Sequence, residues 1–383
     1  MSDATAARTP GANPDSDANR TINLSRNLPP QAYGVFDTRF KEAVAQVLSA
    51  QTPTQVVGRH RFLGTEQDRD MGAGFVGRRF SRRPNAERVV LTNGTQSALN
   101  LLFARLVAPG GTLAVETCTY AAMKPMAVRL GIDLLGLAMD EAGILPDSFE
   151  AACRRRAPKA LYTMPTCQNP TTVTMPLERR REIVAIAERH GVAIVEDDVY
   201  SLLPDNPPPA MSSLAPDICW HVLGLAKSVA AGLKVAYVVV PGAESARRMF
   251  WPGSQSTFWM AAPISAAVTS RLIASGGIDD VIAAVRNEVS ARQHLLHEVL
   301  QGIPFGTSQG CLHVWIPLPG GTDGAAFSLT AQREGLTLGD GEKFHVGPDA
   351  PPAAIRIGLG SEERRDDLAA GLDRFRALWR SRS

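Results

Sequence analysis

The chain has few cysteines and never two close enough in sequence to act together. Cys118, Cys153, Cys167, Cys219 and Cys311 are scattered, odd in number and without a Cys-x-x-Cys pair. Neither a disulfide framework nor a zinc site is suggested, and a reducing compartment is expected. An apolar run of the roughly 20 residues needed to cross a bilayer is also missing, so no membrane partner is expected. Residues 1–20, rich in Ala, Pro, Asp and Thr, lack the apolar centre of a signal peptide; they read as a disordered tail on a cytoplasmic protein. Charge of one sign is lacking too, since 40 Lys and Arg against 38 Asp and Glu leave a net charge of +2. That balance argues against a dedicated nucleic-acid surface. Arginines do cluster at Arg78, Arg79, Arg82 and Arg83, at Arg154 to Arg156 and at Arg179 to Arg181, but the last two groups fall in helical patterns and read as solvated faces. His294 and His297 share a helix face with no carboxylate or cysteine cluster beside them, so no metal site is expected.

What is present is a long alternation of strand and helix patterns. From Glu87 onward, Arg88 to Thr92, Thr112 to Glu116, Asp133 to Met139, Ala160 to Met164 and Val192 to Glu196 read as strands, separated by helical patterns at Gln96 to Val107, Ala121 to Leu130, Pro146 to Arg155 and Leu177 to His190. This order implies an α/β domain on a mostly parallel sheet, whose ligands bind beyond the carboxyl ends of the strands. After Pro241 two long helical patterns, Ala262 to Ala274 and Asp279 to Leu300, precede strands at Leu312 to Ile316 and Ala354 to Leu359 and a helix from Glu362 to Trp379. We therefore expect a tail at 1–20, an N-terminal arm at 21–50 packing on the smaller domain, a large domain at 51–245 and a smaller α+β domain at 246–383.

Four segments carry chemistry. The apolar run Val222 to Ala226 delivers Lys227. A lysine at a buried strand end loses hydration and is pushed toward the neutral amine that condenses with aldehydes, the alternative being a lysine that snorkels from the strand end. Thr92-Asn93-Gly94-Thr95-Gln96 runs from a strand into a helix start, where free N–H groups and the positive dipole end hold a phosphate; the same residues also describe an ordinary helix capped by Thr95. In Cys167-Gln168-Asn169-Pro170-Thr171 the proline fixes the backbone so that the Asn169 amide faces outward as a donor to a phenolate oxygen, or the segment is a plain turn. Val195 to Tyr200 ends a strand with Asp197 and Asp198, which point to opposite faces, so that one of them can keep a pyridine nitrogen protonated while Tyr200 reaches a phenolate.

Together with Tyr120, Lys234 and Arg356, the order of these motifs resembles fold-type I pyridoxal-phosphate enzymes of the class I/II aminotransferase family, and is most similar to the aminotransferase-like domain of MocR-type proteins. The likeness runs from about Ile22 through Trp379. It implies that Lys227 condenses with the cofactor and later shuttles the α-proton, that Asp197 pairs with the ring nitrogen, that Asn169 and Tyr200 bond the phenolate oxygen and that Tyr120 stacks on the ring. By the same resemblance Gly94, Thr95, Gln96 and Lys234 cradle the phosphate of pyridoxal 5'-phosphate. The resemblance also implies that Arg356 clamps the carboxylate of an amino acid substrate. The loops near Ser25 to Pro30, including Asn27, and Ser254 to Trp259 are expected to line the substrate pocket, and the resemblance implies a homodimer that shares its active sites across the interface.

The departures are specific. Gly224-Leu225-Ala226-Lys227 stands where the family usually has Ser-x-Ser-Lys, which loses two hydroxyls; Lys234 replaces an arginine; and Arg59 replaces a tyrosine that reaches the partner subunit's phosphate. Arg59 either restores that grip or is a surface residue. Transamination is the expected reaction. Elimination, γ-replacement, cyclisation or oxidation through the same carbanion is the alternative. A ligand-sensing regulator is the third reading; it needs a winged-helix domain ahead of Ile22, where this sequence has about 20 polar residues.

Overall fold

The computed structural model describes residues 20–250 and 260–382, so the expectations for the tail and for Ser254 to Trp259 lie outside the described residues. A seven-stranded sheet forms the centre. Its strands are β1 (Val89–Thr92), β2 (Thr112–Glu116), β3 (Asp133–Leu137), β4 (Ala160–Thr163), β5 (Ala193–Asp197), β6 (Cys219–Gly224) and β7 (Ala236–Val239). They lie in the order β1-β7-β6-β5-β4-β2-β3. All pairings are parallel except those of β7, which runs antiparallel to β1 and to β6. The fold is thus α/β with a mostly parallel sheet, as the alternation predicts. β1, β4, β6 and β7 are buried at every position, since helices cover both faces of such a sheet and leave no polar side to alternate with.

The smaller core is built on a three-stranded antiparallel sheet of β8 (His313–Pro317), β9 (Gly339–Asp340) and β10 (Ala354–Gly358), with β10 in the middle. Val314, Ile316, Ile355 and Ile357 pack there against Leu368, Leu372 and Phe375 of the closing helix Arg365–Arg380. The arm does not pack on this domain along its whole length. Ile22 and Leu24 join the smaller core, and Ile22–Asn23 pairs parallel with Leu336–Thr337, whereas helix α1 (Tyr33–Ala50) lays Ala43 and Val47 into the larger core. Likewise Ala266, Val268 and Leu272 of helix α2 (Pro263–Ala274) belong to the larger core. Helix α3 (Gly277–Val299) bridges the two, with Val281, Val285 and Val289 in the larger core and Leu296 and Val299 in the smaller. The boundary between the cores therefore runs through this helix.

One basic cluster departs from its expected role. Arg180 has no exposed surface: its guanidinium donates to the carbonyls of Met175 (2.9 Å), Pro209 (3.0 Å) and Pro165 (2.8 Å) and to Thr166 Oγ1 (3.0 Å). It ties the loop after β4 to the loop before Met211, work that a planar fork of five donors can do and a solvated arginine does not.

Candidate active site

A cavity of about 480 Å³ opens at the carboxyl ends of β1, β4, β5 and β6. Its walls include Gly94, Thr95, Gln96, Tyr120, Asn169, Asp197, Tyr200, Lys227 and Lys234. Lys234 belongs to the same end because β7 runs antiparallel, so its start lies beside the other strands' ends. Segments far apart in sequence meet there because a parallel sheet presents all its carboxyl ends on one side.

One wall of the cavity begins at Gly94, whose φ of +78° is a left-handed conformation suited to glycine, and which leads directly into the helix Thr95–Leu106. The first N–H groups of that helix have no intrahelical acceptors and face the cavity end. Among the described residues Thr95 Oγ1 is buried without a partner, and a Cβ at Gly224 would lie 2.0 Å from it. The glycine where the family carries serine thus has a physical reason, because the Thr95 hydroxyl fills that space.

Lys227 donates from Nζ to the backbone oxygen of Asn27. Burial, reinforced by Arg356, lowers its amine to about 8. Asn27 is buried, and its Nδ2 lies 2.9 Å from Tyr200 Oη and 3.0 Å from His313 Nδ1. Tyr200 is fully enclosed, and burial raises its phenol well above the ordinary value. The Tyr120 hydroxyl accepts from Gln96 Nε2 at 2.8 Å.

The two aspartates diverge as strand alternation requires. Asp197 faces the cavity; its Oδ2 accepts from Tyr162 Oη at 3.0 Å, and burial raises it to about 7. Asp198 faces the other way, 2.7 Å from Arg79 Nε and 3.0 Å from His221 Nε2. Burial opposes its charge, but Arg79 and His221 outweigh that and hold the carboxyl below the usual range.

Arg356 is buried over the ring of Phe344, 4.9 Å from its centroid, and donates to Asn169 Oδ1 at 3.0 Å and to the backbone oxygen of Ser25. Because Asn169 presents its oxygen to Arg356, its amide nitrogen is left for the cavity. Arg356 Nε is buried without a partner among the described residues. Arg59 is not brought into the cavity of this chain and is exposed. Sequence reasoning missed Tyr162 and His313. A tyrosine inside Ala160–Thr163 and a histidine inside an apolar strand were the available signals.

Residues 21–372 match the family described as aminotransferase class I and II. The chain belongs to that family. Pyridoxal 5'-phosphate is the cofactor. The residues present fit the group: a buried hydroxyl without a partner beside a glycine-led helix start, an amine lowered to about 8, and a buried carboxylate. Among curated relatives the chain is 32% identical over 298 residues to the HTH-type transcriptional regulator YdeF of Bacillus subtilis, covering 77% of this chain and 63% of that protein. It is 26% identical to the mitochondrial kynurenine/alpha-aminoadipate aminotransferase of Rattus norvegicus, over 70% of this chain and 68% of that one. The chain thus spans less than two thirds of the regulator's length. Among solved structures it is similar to the kynurenine aminotransferase of Pyrococcus horikoshii, with a TM-score of 0.85, 21% identity, and coverage of 96% of this chain and 92% of that one. LysN, the alpha-aminoadipate aminotransferase of Thermus thermophilus, gives a TM-score of 0.83 at 21% identity, covering 94% and 92%. These likenesses speak for the fold.

Proposed function

We propose that the protein is an aminotransferase that moves the amino group of an amino acid to a 2-oxo acid. The observation that carries this reading is Lys227, an amine lowered to about 8 in the same cavity as Asp197 and the glycine-led helix start. When bound, the cofactor supplies an aldehyde that captures amines and a ring that takes up the electron pair left by the departing α-proton. Thr95, the N–H groups after Gly94, and Lys234 would hold its phosphate; Asp197 would keep a proton on the ring nitrogen; Asn169 and Tyr200 would donate to the phenolate oxygen; and Tyr120 would cover the ring. Lys227 Nζ, as a neutral amine, would take the substrate's α-proton and give it back. Arg356 orients the substrate by its carboxylate, a task for two parallel donors. A homodimer in which Arg59 reaches the partner's phosphate completes the proposal.

A second reading, binding of an amino acid without turnover as part of a sensor, is favoured by the HTH-type regulators among the relatives. Incubating the holo-protein with a panel of amino acids, with the pyridoxamine form and the 2-oxo acid both quantified, separates them. Stoichiometric 2-oxo acid from at least one amino acid is expected. Spectral change with no 2-oxo acid from any member would overturn the enzyme reading in favour of the sensor.

A further inference from the structure

His313 does not line the cavity, yet it stands at the head of a hydrogen-bond chain that ends on a residue that does. Its Nε2 lies 3.0 Å from the backbone oxygen of Gln168, and its Nδ1 lies 3.0 Å from Asn27 Nδ2, which is 2.9 Å from Tyr200 Oη. Gln168 is itself anchored, because its Nε2 donates to the Cys118 oxygen at 2.6 Å and its Oε1 accepts from Thr171 N at 2.9 Å. We propose that His313 is a positioning residue that sets the direction of the Tyr200 hydroxyl, turning its hydrogen into the cavity.

The reasoning follows from what each atom can do. A backbone carbonyl only accepts, so the hydrogen of a neutral His313 is on Nε2 and a lone pair is left on Nδ1. Asn27 must therefore present its amide nitrogen to His313. The second amide hydrogen then goes to Tyr200 Oη, which accepts. With that lobe occupied, the Tyr200 hydrogen is free to donate into the cavity, which Lys227, Asp197 and Asn169 also line. The reverse setting would put Asn27 Oδ1 against the Nδ1 lone pair and draw the tyrosine hydrogen away from the cavity. Among the described residues Asn27 Oδ1 is buried with no partner, as expected when the amide's two hydrogens fix its orientation. Burial, with Arg356 and Lys227 adding positive charge nearby, lowers His313 to about 3, so the imidazole stays neutral. A protonated ring would offer a hydrogen from Nδ1 and invert the chain. The His313 ring also sits 5.7 Å from that of Tyr200, and β8 pairs His313 with Gly358, so its place is fixed by packing as well.

The direct test is nitrogen NMR of the histidine side chains in the protein without cofactor, with His313 assigned by comparison with His313→Gln. The Nε2–H tautomer is expected to persist from about pH 5 to about pH 8, the span in which an unperturbed histidine titrates. An Nδ1–H tautomer, or titration of His313 in that span, would overturn the proposal. In the holo-protein, His313→Phe should raise the pKa of the cofactor's visible band by on the order of one pH unit, the loss of one hydrogen bond to a charged oxygen. His313→Gln, whose amide can donate to Gln168 and accept from Asn27, should restore most of that shift. Equal shifts in both variants, or none in His313→Phe, would reduce His313 to a packing residue. The consequence for the cofactor rests on the function proposed above, but the tautomer does not. A protein that never develops a visible band would sink that function and leave the tautomer result standing.

Discussion

Asp197 and Asp198 are adjacent in sequence and have opposite surroundings, so their substitutions should fail in different ways. Asp198→Asn removes the charge that faces buried Arg79 and should cost on the order of 3 kcal/mol in urea unfolding, as breaking a buried pair does. Asp197→Asn should leave the fold intact or firmer. Burial raises the Asp197 carboxyl to about 7, so its contribution to stability is complete below the unfolded value of about 4 and is lost as pH rises through about 7. Unfolded without cofactor, Asp197→Asn should therefore be at least as stable as wild type at pH 8, whereas the holo-variant should lose most turnover; a variant that unfolds early and keeps its activity would contradict the assignment. Lys227 gives the complementary pH test. Its amine is lowered to about 8 by burial and then by Arg356, so cofactor capture should quicken as pH rises through that value and then level off. Asp197 favours the charged amine, so Asp197→Asn should move the midpoint to lower pH. Stopped-flow mixing across pH measures both, and a midpoint near the ordinary lysine value of about 10.4 would contradict a desolvated amine.

At the scale of elements, β6 and the helix Thr95–Leu106 are fitted to each other through Gly224. A Cβ there would meet Thr95 Oγ1 at 2.0 Å, well inside contact distance. Gly224→Ala should therefore displace the Thr95 hydroxyl and weaken cofactor binding by on the order of tenfold, the value of one hydrogen bond to a charged group. Restored serine at this position should do no better, although it matches the family pattern; tighter binding by Gly224→Ser would show that the loop simply yields. This pairing was not legible in the sequence, where Gly224 reads as a lost hydroxyl, because the compensating side chain is 129 positions away (224 minus 95) and only the sheet brings them together. The strands were legible, since Val89–Thr92 and Ala160–Thr163 are short apolar runs bounded by turn residues. Arg180 was not, because its helix pattern cannot distinguish a solvated arginine from one that binds four buried oxygens. His313 was hidden for the same reason: its meaning lies in Gln168, Asn27 and Tyr200, each from a different segment.

At the scale of the whole molecule, the order of motifs made the pocket readable, because a parallel sheet gathers Gly94, Asn169, Asp197 and Lys227 at one edge whatever their spacing. The split of the arm between two cores was less readable, since apolar residues in Ile22 to Leu48 do not say which core they enter. Arg59 belongs to this scale. It is exposed and outside the cavity of its own chain, so a cofactor role for it requires a second subunit. Arg59→Ala should raise the cofactor Kd by on the order of tenfold if a charge-assisted contact is lost, and Lys234→Ala should do likewise, with the double variant falling short of the two combined. Titrations that leave Arg59→Ala at wild-type affinity would make Arg59 a surface residue.

The chemistry proposed for the molecule depends on which lysine holds the cofactor, and one measurement reaches that directly. The holo-protein is reduced with borohydride, digested and mapped by mass spectrometry. A pyridoxyl group on Lys227, absent from Lys227→Ala, is the expected result. The same group on Lys234, or on no lysine at all, would contradict it.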